Sequence, residues 1–168
     1  MTQRIFGITG WKNSGKTTLT ERLVTELTAR GLRVSTVKHA HHAFEIDREG
    51  TDSFRHRIAG AGEVAIVSGQ RWALMHELRG ESEPSLQEIV ARLSPCDLIL
   101  VEGFKREAHR KIECRRIGAL DRRPMQESVP AIAAIAADHD VTGTQLPVFA
   151  LDDIAAIADF VMAETGPA

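Results

Sequence analysis

The chain has 168 residues, 43% of them hydrophobic and 26% charged, which are the proportions of an ordinary globular protein and predict one domain spanning 1–168. Its net charge of −2 argues against a general nucleic-acid-binding protein, which carries a strong basic excess, and no apolar run approaches the roughly 20 residues of a membrane span. A signal-peptide pattern is lacking at the first residues, and the two cysteines form no CxxC pair, so we expect a cytoplasmic protein with neither nucleic-acid nor membrane partners.

The first elements expected along the chain are a strand, a glycine-rich loop and a helix. Residues 4–9 are apolar and partly β-branched, which predicts a buried strand, and 17–27 carry leucines four apart, which predicts a helix with one apolar face. Between them, residues 10–18 match the pattern GxxxxGK[ST] without a mismatch. In such a loop the backbone N–H groups converge on phosphate, and the helix N-terminus adds its positive end. This context predicts a site for a nucleoside polyphosphate.

Individual roles follow from the loop pattern. Lys16 is expected to reach the β- and γ-phosphates, and the hydroxyl of Thr17 to ligate Mg²⁺. Lys12 could either touch phosphate or be solvated, and a glycine-rich turn that merely begins a helix is the alternative for the loop as a whole. The predicted nucleotide-binding residues of the loop are Gly10, Trp11, Lys12, Asn13, Ser14, Gly15, Lys16, Thr17 and Thr18.

The remaining elements alternate between strands and helices. The predicted strands are 32–38, 64–67, 72–75, 96–102, 111–117, 131–138 and 147–150, and the predicted helices are 52–61, 84–93 and 154–164. A Ser-Gly-Gln-Arg turn separates 64–67 from 72–75, which predicts a hairpin, and the alternation within 111–117 predicts a half-exposed strand. The order of elements predicts the fold class, an α/β P-loop NTPase-like domain with a mostly parallel sheet, flanking helices and one antiparallel hairpin.

Two acids end predicted strands. Glu102 follows an apolar run, where a carboxylate can hold Mg²⁺ through water or orient the attacking water, and an exposed loop acid is the alternative. Asp138 ends a late strand, where a carboxylate can accept from the guanine N1 and N2 donors that adenine lacks. Two alanines precede it instead of Asn-Lys, so the usual guanine motif is incomplete and the choice of purine stays open. Thr17 and Glu102 are the predicted metal ligands, and Lys16 and Glu102 are predicted to act in catalysis.

The segment 39–50 has no helix or strand period, so we expect a loop at the sheet edge where α/β proteins bind ligands. Its three histidines have an HxHH spacing that does not place three imidazoles at one tetrahedral corner, which disfavours a histidine-bound metal. A switch-like segment that reads the γ-phosphate and Mg²⁺ is favoured instead. Asp47 is predicted to be a catalytic acid that is linked to the metal or orients water. Asp52 is either a second such acid or a helix cap.

Charge is unevenly distributed in the second half of the chain. Eight basic residues between Lys105 and Arg123 are opposed by only three acids, whereas 124–168 contains seven acids and neither lysine nor arginine. The basic segment is either a solvated face or a surface near the phosphate site that binds anions or a partner.

An ordered set of motifs resembles one known family. The motifs are residues 10–18, 37–42, 47–53, 59–61 and 101–105. Together they resemble the molybdopterin-guanine dinucleotide biosynthesis adapter proteins, known as protein B of that pathway, from the N-terminus to about Asp138. The whole set is specific to the family, whereas the phosphate loop alone is not.

The resemblance implies a homodimeric P-loop protein that binds GTP with Mg²⁺ and hydrolyses it weakly at most. It also implies partnership with the guanylyltransferase that attaches GMP to molybdopterin, and it makes the molybdenum-insertion enzymes further candidate partners. Carried over by position, Gly15, Lys16 and Thr17 serve the phosphates and the metal, and Glu102 serves the Mg²⁺ site. The related metal-insertion GTPases often carry a lysine directly after the first glycine of the loop, where this chain has Trp11.

These inferences combine into one expected function, a GTP-binding adapter in molybdenum cofactor maturation. Hydrolysis should be slow, because the sequence identifies no arginine finger. Two alternatives stay open. One is an ATP-dependent small-molecule P-loop kinase, although no segment clearly supplies the lid that such enzymes use. The other is a scaffold whose nucleotide site is vestigial.

Overall fold

The computed structural model of the chain describes residues 3–40 and 44–166. The strands in this part are β1 (Ile5–Thr9), β2 (Val34–Lys38), β3 (Glu63–Val67), β4 (Trp72–His76), β5 (Leu98–Glu102), β6 (Lys111–Arg115), β7 (Ile132–Ala137) and β8 (Val148–Ala150). The helices are α1 (Lys16–Ala29), α2 (Asp52–Ile58), α3 (Leu86–Ala91) and α4 (Ile154–Thr165). Among the described residues, no helix has both the length and the apolar character needed to cross a membrane.

The chain divides into two compact units. The larger unit comprises Met1–His39 and Ile89–Ala168, and the smaller comprises Ala40–Glu88. That residues 1–168 form one domain stays a prediction, which is based on the length of the chain.

A six-stranded sheet forms the centre of the larger unit, in the order β2-β5-β1-β6-β7-β8 with every neighbouring pair parallel. The carboxyl ends of parallel strands meet at one sheet edge, which is where open α/β folds bind ligands. The register brings Glu102, the last residue of β5, opposite Ile8 of β1 on one side and Lys38 of β2 on the other. The acid predicted to serve Mg²⁺ thus stands between two other strand ends.

The core of the larger unit is built by α1 and α4 packed against this sheet. Leu19, Leu23 and Leu27 are fully buried on one face of α1, as their spacing predicts. Each such leucine stabilises the fold by about 1.5–3 kcal/mol relative to an exposed one. The rings of Phe6 and Phe160 meet edge to face at 6.3 Å, which ties β1 to α4. The glycine loop thereby lies between two well-packed elements, β1 and α1.

One strand differs from its predicted environment. The alternation within 111–117 predicts half exposure, which is wrong, because the first four residues of β6 are buried. The cause is that both faces of this inner strand are covered: Ile112 and Cys114 belong to the main core, and Glu113 on the other face accepts the N–H of the buried Met125. Its charged residues find local partners: Lys111 donates to the carbonyl oxygens of Glu107 and His109, and Glu113 accepts from Arg115 at 2.8 Å.

The smaller unit contains α2 and an antiparallel hairpin of β3 and β4, as predicted. The backbone N–H of Ser68 donates to the carbonyl of Arg71 at 2.9 Å and closes the turn. The cap of α2 is Thr51, whose hydroxyl accepts from the N–H of Phe54. Asp52 is therefore a first-turn residue and not the cap. The predicted fold class, a mostly parallel sheet with helices and one antiparallel hairpin, is confirmed.

Candidate functional site

The loop between β1 and α1 requires glycine at its two ends. Gly10 has a φ of 150°, and a Cβ atom there would lie 2.7 Å from the carbonyl oxygen of Cys114 and would also collide with the side chain of Ser14. Gly15 begins α1 in the left-handed region, with a φ of 95° and no side-chain cap. The first N–H groups of α1 therefore lack a side-chain acceptor from the cap, which leaves them suited to an anion.

Lys16, the lysine of the loop pattern, is folded back onto the loop. Its ammonium group donates to the carbonyl oxygen of Trp11 at 2.6 Å. Burial lowers the pKa of Lys16 most, while the charge of Glu102 acts in the opposite direction. The lysine therefore has a neutral backbone acceptor that a phosphate oxygen could replace.

The two predicted metal ligands meet in space. The hydroxyl of Thr17 donates to the carboxylate of Glu102, at 3.2 Å from one oxygen and 3.4 Å from the other. Glu102 is buried, and its Oε1 also lies 3.5 Å from the ammonium group of Lys38. A hydroxyl and a carboxylate are the hard oxygen donors that Mg²⁺ takes when phosphates and water complete its shell, so these residues fit that ion. Over residues 3–40 and 44–166, no group of three His, Cys, Asp or Glu side chains could hold a metal alone.

Trp11 connects the loop to the basic segment. Its indole N–H donates to the carbonyl oxygen of Arg123 at 2.7 Å. The charged groups of Lys105 and Arg123 lie 4.7 and 5.2 Å from the centre of its ring, within the range of cation–π attraction. Lys12, by contrast, is exposed. Trp11, the residue after the first glycine of the loop, thus contacts the basic segment of the same chain at Lys105 and Arg123.

The basic segment does not form a single face. Lys111 is fully buried, and Arg110, Arg115 and Arg123 are paired with acids of the same unit. Arg106 and Arg122 are exposed. Only part of the segment is therefore available to a partner or a ligand.

Asp138 lies in the wall of an open cavity of about 980 Å³ beside the loop. The cavity also touches Gly15 and Thr18 at the start of α1, and Phe149 at β8. Oδ1 of Asp138 receives the N–H of Ile117 at 2.8 Å and faces Nδ1 of His139 at 2.9 Å, and the pKa of the carboxyl is lowered by His139 first and then by that N–H. Asp138 is therefore a carboxylate at neutral pH, with its Oδ2 at 3.9 Å from Nε of Arg116.

The two aspartates considered as metal-linked or water-orienting acids, Asp47 and Asp52, lie in the smaller unit. Asp47 has a side chain that is only 2% exposed and receives the guanidinium of Arg57 at 3.1 Å. Asp52 is exposed and 4.0 Å from Arg55. An ion pair within its own unit accounts for the burial of Asp47, and its catalytic role stays a prediction. His41 and His42 lie outside the described residues.

Lys38 and Arg116 were missed by the sequence reasoning, although both stand at the candidate site. Lys38 ends β2 opposite Glu102, and the parallel pairing of predicted strands ending in Lys38 and Glu102 is the signal that could have found it. Arg116 follows β6 and lines the Asp138 cavity. No pattern in the sequence marks it among its basic neighbours.

Fold and site together define a class, the mostly parallel α/β proteins in which a GxxxxGK[ST] loop joins the first strand to the first helix and a carboxylate ends a neighbouring strand. The chain matches the model of one family, MobB, described as molybdopterin guanine dinucleotide synthesis protein B, over residues 5–138. Over 161 residues it is 39% identical to the molybdopterin-guanine dinucleotide biosynthesis adapter protein of Escherichia coli, covering 94% of this chain and 91% of that protein. The corresponding adapter protein of Haemophilus influenzae is 38% identical over 161 residues, covering 94% of this chain and 86% of that protein. The chain belongs to the MobB family.

Solved structures agree with this assignment. The crystal structure of Bacillus subtilis MobB aligns with a TM-score of 0.77 at 26% identity, covering 98% of this chain and 99% of that one. A crystal structure of molybdopterin-guanine biosynthesis protein B aligns with a TM-score of 0.73 at 30% identity, covering 95% of this chain and 98% of that one. The family resemblance inferred from the ordered motifs is confirmed.

Proposed function

We propose that this chain is a GTP-binding adapter of molybdopterin guanine dinucleotide synthesis that assists the guanylyltransferase attaching GMP to molybdopterin. The observation that carries the nucleotide part is the meeting of Thr17 and Glu102, 3.2 Å apart, at the start of α1. Among phosphate-binding loops this hydroxyl–acid pair holds Mg²⁺ against the terminal phosphates. The pathway part is supported by the names of the relatives.

The chain's own groups divide the work of binding. The N–H groups at the start of α1 and the ammonium group of Lys16 take the phosphates, with Lys16 leaving the carbonyl of Trp11 to do so. Thr17 and Glu102 hold Mg²⁺, which neutralises charge on the terminal phosphates when it is bound. Hydrolysis is weak, because the sequence identifies no arginine finger that would stabilise the charge of the transition state.

Asp138 is the proposed reader of guanine. Its carboxylate lies in the wall of the cavity that also touches Gly15, so a nucleotide could reach both the base and the phosphate positions. Since Oδ1 already has two donor groups beside it, a guanine N–H is expected at Oδ2 first. An aspartate in this role rejects adenine, which lacks the two donors.

The proposed partners and assembly follow the family resemblance. Arg106 and Arg122 are exposed and offer a docking surface for a phosphorylated pterin or for an acidic face of the guanylyltransferase. The molybdenum-insertion enzymes are further proposed partners. We also propose a homodimer in the cytoplasm.

Nucleotide competition tests the proposal. GTP with Mg²⁺ should displace a fluorescent guanine nucleotide, ATP should not, and Lys16→Ala should abolish binding. Binding of ATP equal to or tighter than that of GTP would support the kinase alternative and contradict the adapter proposal.

A capture experiment with the purified guanylyltransferase tests the partnership. Its retention on the immobilised wild-type protein should depend on GTP, and Lys16→Ala should lose that dependence. If Lys16→Ala captures the enzyme as well as the wild type does and supports cofactor maturation equally, the nucleotide site is vestigial.

A further inference from the structure

The lysines of this chain are concentrated at one place. The sequence has only five lysines against sixteen arginines, and Lys16 is within electrostatic reach of Lys38, Lys105 and Glu102. Burial lowers the pKa of Lys16 most, and the charges of Lys105 and Lys38 lower it further. The ammonium groups of Lys16, Lys38 and Lys105 therefore outnumber the one carboxylate, Glu102. This excess of positive charge favours binding of a polyanion.

Lys38 has a position that the proposed function does not use. It ends β2 directly opposite Glu102 in the sheet register, with its ammonium group 3.5 Å from Oε1. The same oxygen receives the hydroxyl of Thr17 at 3.2 Å. The side chain of Lys38 is 60% exposed, so the ammonium group can leave the carboxylate without disturbing the core.

The sheet order indicates which end of a nucleotide would reach Lys38. The cavity of Asp138 lies at β7 and β8, on one side of β1 and its loop. Glu102 and Lys38 end β5 and β2, on the other side of β1. A nucleotide with its base at Asp138 and its phosphates on the loop would therefore extend its terminal phosphate toward Glu102 and Lys38.

We propose that Lys38 binds the terminal phosphate of the nucleoside triphosphate and so distinguishes GTP from GDP, while Glu102 holds its ammonium group in the nucleotide-free protein. This inference rests on the proposed function, because it needs a triphosphate on the loop. With Mg²⁺ bound, Glu102 would serve as its ligand, and the ammonium group of Lys38 would exchange the carboxylate for an oxygen of the terminal phosphate. Lys38 is thus a cation that the same chain supplies to the terminal phosphate.

The competing explanation is structural. An ion pair between β2 and β5 that serves only to stabilise the fold has no reason to alter the preference between GTP and GDP. Independent measurement of the affinities for GTP and GDP, in the wild type and in a variant without Lys38, distinguishes the two explanations.

The experiment compares the dissociation constants of GTP and GDP, at saturating Mg²⁺, for the wild type and Lys38→Ala. Loss of a hydrogen bond to a charged group should weaken GTP about ten- to hundredfold and leave GDP nearly unchanged. Lys38→Arg should retain most of the discrimination. The matched control is Arg33→Ala, which removes an exposed cation paired with Asp97 beside the other end of β2 and should not change the ratio.

Magnesium dependence gives a second readout, which reports whether the Lys38 ammonium group competes with Mg²⁺ for Glu102. Without the Lys38 ammonium group competing for Glu102, half-maximal GDP binding should need less Mg²⁺ in Lys38→Ala than in the wild type. If the wild type prefers GTP and folded Lys38→Ala has the same ratio of GTP to GDP affinity, the assignment of Lys38 is wrong. The proposed function would then remain intact. A wild type that binds neither nucleotide would overturn the proposed function itself.

Discussion

At the scale of single residues, the loop depends on backbone geometry as much as on side chains. Gly10 cannot carry a Cβ because the carbonyl of Cys114 and the side chain of Ser14 occupy that space. Asn13 also has a positive φ, of 63°, which asparagine tolerates better than most residues. The chemistry-bearing side chains, Lys16 and Thr17, are then held by Trp11 and Glu102. The pattern GxxxxGK[ST] encodes both requirements at once.

Replacing Asp138 by asparagine tests the base reader. Asp138→Asn should weaken GTP at least about tenfold, because an amide cannot accept from both guanine donors, and it should weaken XTP far less. Competition titrations with the two nucleotides measure this. Asp140→Asn, in the wall of the same cavity, is the control and should keep the wild-type preference. An unchanged GTP/XTP ratio in Asp138→Asn would exclude this residue.

Lys111 should make stability depend on pH. Burial lowers its pKa to about 8 in the folded chain, from the ordinary lysine value of 10.5. The unfolded chain therefore binds more protons between these two values, and the free energy of unfolding should rise as the pH increases through this window. Below about pH 8 the full cost of burying the charge remains.

Thermal unfolding of the wild type and Lys111→Met at pH 7 and pH 9.5 measures this contribution. The wild type should gain stability relative to the variant at the higher pH. A difference in Tm that is independent of pH would contradict the lowered pKa.

At the scale of elements, periodicity predicted burial correctly in α1 and wrongly in β6. The leucines of α1 are buried, as their spacing predicts, because an amphipathic helix has one face against the sheet. The alternation in β6 did not produce an exposed face, because the main core covers one face of the strand and Met125 lies against the other. Glu113 instead accepts the N–H of Met125 at 3.1 Å and the guanidinium of Arg115.

The burial of α1 can be tested at its centre. Leu23→Ala should lower the free energy of unfolding by about 2–5 kcal/mol, because it leaves a cavity in a fully packed core. Urea denaturation gives the value. Thr25→Ala, on the exposed face of the same helix, should change it by less than about 0.5 kcal/mol. Equal effects of the two substitutions would contradict the packing described for α1.

At the scale of the whole molecule, the hairpin is the feature that suggests assembly. In the described part of the chain, β3 and β4 pair only with each other. Val67 and Trp72 are cross-strand partners and are 75% and 70% exposed. Unpaired strand edges with large apolar side chains are prone to pair with another chain. A second copy presenting the same hairpin would cover both, and this supports the proposed homodimer.

Sedimentation measurements test this assembly. The wild type should be dimeric at micromolar concentration, and a Val67→Lys, Trp72→Lys double variant should be monomeric. The control, Leu120→Lys, changes a side chain that is 96% exposed outside the hairpin and should remain dimeric. A monomeric wild type, or a dimeric double variant, would contradict the hairpin interface.

The sequence by itself determined the order of strands and helices, the phosphate-type loop, the strand-end acid and the family. Each of these depends on residues close together in the chain, where periodicity and glycine positions directly reflect backbone geometry. Only the tertiary structure decided that Thr17 and Glu102 meet, that Lys38 shares the same oxygen, and that β6 is buried. These facts depend on which strands become neighbours, and that choice is made by packing between segments far apart in the chain.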